Sequence, residues 1–102
     1  MPMPDIMLVD PALIPDLEGM VPVAAVKLVV EVADSTLEDD LGEKRDEYAE
    51  AGLPEYWVAD VKGGRIVRHA DPRDGAYTRV DSVPMDQPLT MLTEPRLSIG
   101  AI

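Results

Sequence analysis

The chain has no cysteine, one histidine and one tryptophan among its 102 residues. Without a thiol there is no disulfide, no thiolate metal site and no cysteine nucleophile. A single imidazole likewise excludes a histidine-based metal centre. Cations are scarce: 9 Lys+Arg stand against 20 Asp+Glu, a formal net charge of -11. That balance works against a polyanionic partner, because each phosphate contact needs a cation to displace counterions. Acids that gather around a divalent metal reverse the field locally. No apolar run is long enough to cross a membrane, and the first residues lack the basic-then-apolar order of a signal peptide. With the missing cysteines, this suits a reducing cytoplasm.

What is present fits one small domain over residues 1–102, 46% of it hydrophobic. A domain of this size buries a modest fraction of its surface and is marginally stable alone, so a homo-oligomer, at least a dimer, is expected.

The first predicted strand covers Asp5 to Val9, between Pro4 and Asp10-Pro11. Residues 10–24 carry Pro11, Pro15, Gly19 and Pro22 and read as a loop. Val26 to Ala33 is rich in β-branched residues and almost unbroken in apolarity, as expected of a strand covered on both faces. A helix should follow, with Ser35 as N-cap, Glu38 completing a capping box, and Leu37, Leu41, Lys44 and Tyr48 along one stripe. Gly52 is placed to stop it, and Pro54 prevents its resumption. Tyr56 to Val61 then reads as a strand, Gly63-Gly64 as a turn and Arg65 to His69 as the hairpin partner. Asp74-Gly75 makes a further turn before Tyr77 to Val83, and a short last strand is expected around Arg96 to Ile99. The order implies an α/β domain: a mixed β-sheet, one main helix and a C-terminal β-meander.

Glu31 stands out, because a carboxylate among Val29, Val30 and Val32 costs several kcal/mol, of order, unless it is paired or binds metal. The bland alternative, a solvent-facing position on an edge strand, sits badly with the run of valines. Lys44 shares the helical stripe that should face the sheet. Alone it reads best as a snorkelling side chain, and beside Glu31 it forms a plausible pair. Asp5 follows a proline at the start of a strand, a weak signal by itself. Lys27 lies four residues before Glu31, hence on the same strand face by alternation, though a lysine there is most often solvated. Glu38, Asp39 and Asp40 read as first-turn acids that complement the helix dipole. The lone His69 reads as a strand-end surface residue. No calcium-loop spacing, phosphate loop or nucleophile elbow is present.

The runs LVVEVADST (28–36) and EKRDEYAEAGLPEYWVAD (43–60) resemble the signature of the Uma-type (Uma2) nucleases of the PD-(D/E)XK superfamily. The match rests on Leu28 to Val32, Ser35, Lys44, Tyr48, Gly52, Pro54 to Trp57 and Asp60, without gaps. The resemblance implies a restriction-endonuclease-like core and a DNA endonuclease using Mg²⁺ or Mn²⁺. Asp5 and Glu31 would be metal ligands together with the carbonyl of Val32. The superfamily lysine usually stands two residues after the glutamate, where this chain has Ala33. The Uma type carries it on the helix, at the position of Lys44, to orient and deprotonate the attacking water or to balance charge on the phosphate. Against the family pattern, the domain is expected to lack the usual N-terminal region before the Pro-Asp strand, and Val26-Lys27 stand where Pro-Asp is common. The alternative reading is a non-catalytic remnant of the nuclease fold that serves as a dimerising or interaction module.

Overall fold

The computed structural model describes residues 6–9, 25–33, 40–93 and 98–99. Among them, five strands form one sheet in the order β1-β2-β3-β4-β5: β1 (Ile6–Val9), β2 (Val26–Ala33), β3 (Glu55–Asp60), β4 (Arg65–Arg73) and β5 (Ala76–Pro84). The helix α1 (Glu43–Glu50) lies between β2 and β3 in sequence. Two short strands, β6 (Leu89–Thr90) and β7 (Ser98–Ile99), pair separately.

The β2–β3 pair is parallel, with Glu31 beside Val58, and the other neighbours in the sheet are antiparallel. A parallel pair cannot be joined by a hairpin, so the chain must cross over, and α1 lies within that connection. The sheet is therefore mixed, with β3 at its centre and all six of its residues buried.

Strand alternation divides the core into two layers. Val29, Ala33, Tyr56, Val58 and Val67 pack with Tyr48 and Leu53 on the side of α1. Leu28, Val30, Trp57, Ala59 and Ile66 pack with Leu89 and Met91 on the other side. This explains the apolarity of β2, which is covered on both faces except at Val32, 40% exposed.

The helix ends as its sequence implies. Gly52 adopts φ +78°, the amide of Leu53 donates to the carbonyl of Tyr48, and that of Gly52 donates to Ala49. These two bonds form a Schellman motif, whose left-handed residue favours glycine. At the other end, Gly42 occupies the N-cap of α1 with no side-chain cap bond. The expected cap at Ser35 and Glu38 lies outside the described residues. The β4 and β5 strands run longer than predicted, because Asp74 (φ 53°) and Gly75 (φ 78°) make a tight turn compatible with strand twist.

Candidate functional site

Glu31 projects from β2 to the helix side and is only 3% exposed. The Tyr48 hydroxyl donates to its Oε1 at 3.1 Å, and Lys44 Nζ lies 3.7 Å from its Oε2. Lys44 and Tyr48 are four residues apart on α1, so one helical face delivers both groups to the same carboxylate. The expected Glu31–Lys44 juxtaposition is thus present. Lys44 keeps 28% of its side chain exposed, so the pair is partly open to solvent on the lysine side.

Asp40 is the residue that the sequence reading placed wrongly. It is 1% exposed and its Oδ1 stands 3.0 Å from Lys44 Nζ. Its backbone carbonyl accepts the hydroxyl of Tyr56 at 2.9 Å. To the expected role beside the helix dipole the structure adds burial next to the lysine. The i, i+4 spacing of Asp40 and Lys44 was the available signal.

The result is one half-buried ammonium serving two buried carboxylates, roofed by Tyr48 and Tyr56, whose rings lie 4.9 Å apart. Burial first, then the negative charge of Glu31, pushes the Tyr48 phenol well above its ordinary range. Burial and then Asp40 do the same for Tyr56. Both hydroxyls therefore remain hydrogen-bond donors at neutral pH.

Of the remaining expected ligands, Asp5 lies outside the described residues. Val32 follows Glu31 on β2 and pairs with Ala59 in the parallel register. Lys27 is half-buried at a slip in the β1–β2 register, where Leu8 faces Leu28 and Val9 faces Val26. Among the described residues no three Asp, Glu, His or Cys side chains come together as a metal-binding group. A carboxylate oxygen of Glu31 and a carbonyl oxygen of Val32 are hard donors, the chemistry that Mg²⁺ and Mn²⁺ require.

Two other motif residues, Glu55 and Asp60, and the lone His69 have structural duties. Glu55 is fully buried and accepts from the Trp57 indole at 2.6 Å, the Leu92 amide at 2.8 Å, and the Thr93 amide and hydroxyl at 2.9 Å each. Asp60 accepts from the Gly63 amide at 2.9 Å and from Arg65 at 3.0 Å, which holds its carboxyl below the usual range. A Cβ at Gly63 would collide with that carboxylate and force it to move. His69 corrects the surface reading. It is 2% exposed, donates Nδ1–H to the Tyr56 carbonyl at 2.9 Å, and packs against the rings of Tyr56 and Tyr77. Burial depresses its pKa.

A mixed five-stranded sheet with one crossover helix is compatible with the restriction-endonuclease-like α/β fold. The Uma2 family model, described as "Putative restriction endonuclease", matches residues 1–100, and the chain belongs to that family. No curated protein matches the chain. No helix among the described residues is long and apolar enough to cross a membrane.

Proposed function

We propose that the protein is a metal-dependent endonuclease that hydrolyses DNA phosphodiester bonds. The observation that carries this reading is the convergence of Glu31 and Lys44, 3.7 Å apart, in a chain of the Uma2 family. Asp5 and Glu31, with the carbonyl of Val32, would hold Mg²⁺ or Mn²⁺. When bound, the ion polarises the phosphodiester and lowers the pKa of the attacking water. The chain's own residues do the positioning. Tyr48 fixes the rotamer of Glu31 by donating to one oxygen and leaves the other near Lys44. Lys44, steered by Asp40 and partly exposed, would orient water and balance charge on the phosphate.

The test is plasmid nicking by the full chain with Mg²⁺ or Mn²⁺. Activity should require the metal and disappear in Glu31→Gln while the circular dichroism spectrum is unchanged. A purified chain that cuts nothing with any divalent metal would sink the reading.

One observation favours the alternative, a non-catalytic interaction module: the net charge of -11 opposes DNA binding. In that case Glu31, Lys44 and Asp40 form only a buried charge network that fixes the helix on the sheet.

A further inference from the structure

The β5 strand is at one edge of the five-stranded sheet, bonded to β4 on one side. Among the described residues no strand pairs with its other side. It is nine residues long, and its single proline, Pro84, is the last of them. It has no lysine. Protein edges of this length usually carry lysines, internal prolines or a covering element, because their unpaired amides and carbonyls invite another strand. Val80, at the centre, is 58% exposed, the most exposed of the large hydrophobic side chains among the described residues.

The sequence of β5 is complementary to itself when reversed about Val80. In an antiparallel pair of two copies centred there, Arg79 faces Asp81 and Thr78 faces Ser82 across the two-fold axis. These are an opposite-charge pair and a hydroxyl pair, two kinds of cross-strand neighbour that stabilise a sheet. Val80 meets Val80 of the second copy on the axis. Centring one residue earlier sets Arg79 against Arg79, and one residue later sets Asp81 against Asp81. The charges therefore select a single register.

Both charged groups can reach across. Arg79 binds Asp71 Oδ2 and the Leu92 carbonyl at 3.3 Å each and is 49% exposed. Asp81 accepts a bidentate bond from Arg68 and is 42% exposed. Their intrachain bonds hold the two side chains in place, which lowers the entropy lost on pairing.

We infer that β5 is a self-association edge, on which a second copy of this chain adds its own β5 antiparallel about Val80 and continues the sheet through both subunits. The inference rests on the strand and its side chains and is independent of the nuclease reading.

The experiment is light scattering coupled to size exclusion on the full chain and on the variants R79D and D81R. Wild type should be dimeric at micromolar concentration. Each variant alone sets like charges opposite each other at two symmetric positions and should weaken dimerisation about tenfold. Mixing the two variants restores both opposite-charge pairs and should restore a one-to-one complex. Because the chain has no cysteine, V80C gives a second readout: mild oxidation should yield a disulfide-linked dimer, whereas S82C, displaced from the axis, should not link. A wild-type monomer overturns the inference and leaves the edge to a strand from another protein. A wild-type dimer that both charge variants leave intact, or that V80C fails to link, also overturns it by placing the interface elsewhere.

Discussion

Lys44 Nζ stands 3.0 Å from Asp40 and 3.7 Å from Glu31, so the lysine leans toward the carboxylate four residues before it, just ahead of α1. The three charges are unequal in consequence. Without the charge on Glu31, the ammonium still has Asp40. Without the ammonium, two buried carboxylates lose their shared cation.

Metal-free urea unfolding should show this asymmetry. Glu31→Gln keeps an acceptor for Tyr48 and relieves a buried charge, so the midpoint should hold or rise. Lys44→Met should cost about 2 kcal/mol, below the full penalty for breaking a buried pair because the lysine is partly exposed. If Glu31→Gln proves the costlier change, Glu31 is a structural partner of the lysine and the catalytic reading loses its footing.

Tyr48→Phe removes the donor to Glu31 Oε1 and leaves the ring in the core. The loss should be about 1.5–3 kcal/mol, as for a hydrogen bond to a charged group. In the Glu31→Gln background it should be smaller, because the acceptor is then neutral. Equal losses in both backgrounds would show that the hydroxyl contributes nothing specific to the carboxylate.

Stability should fall at both ends of the pH range. All three tyrosines have folded-state pKa values raised above 10, burial being the first cause in each. Their contribution is complete below pH about 10 and is lost as the pH rises further, because only the unfolded chain ionises there. Phenolate absorbance should therefore appear together with the loss of helical signal, not before it. On the acid side, His69 is lowered from 6.5, so its contribution is complete above that pH and declines as the pH falls through the folded value. Asp60, lowered from 3.8, adds a further loss below that pH. In His69→Asn the decline beginning near pH 6.5 should disappear.

Glu55→Leu should free the segment after β6, since four donors lose one acceptor. Hydrogen exchange at the Leu92 and Thr93 amides should rise toward that of unstructured chain, while exchange in β2 changes little. Continued protection of both amides would mean that Leu89 and Met91 alone hold the segment.

The sequence disclosed the elements through period and punctuation. Val26–Ala33 reads as a buried strand because it is covered from both sides, and Gly52 marks the helix end because only a left-handed residue closes the two bonds there. Glu31 and Lys44 were legible as misplaced charges on apolar surfaces. Asp40 was not, since an acid near a helix start has an adequate explanation in the dipole and its burial depends on where α1 meets β2. Glu55 was equally silent, because three of its four donors are 37 and 38 residues away at Leu92 and Thr93. The inward turn of His69 follows from the length of β4, which runs four residues beyond the expected end and leaves the ring mid-strand.

The aromatic residues are sorted by side of the sheet: the only tryptophan lies with Leu28 and Ile66, while Tyr48 and Tyr56 lie beneath α1 with Glu31. The chain has no phenylalanine. Near-ultraviolet spectra of this protein therefore separate into two independent channels. Indole emission registers the packing of the layer held by Glu55, and tyrosine difference absorbance registers the layer that contains Glu31. A ligand that enters the Glu31 site should perturb the second channel and leave the first dark, without any label being added to the chain.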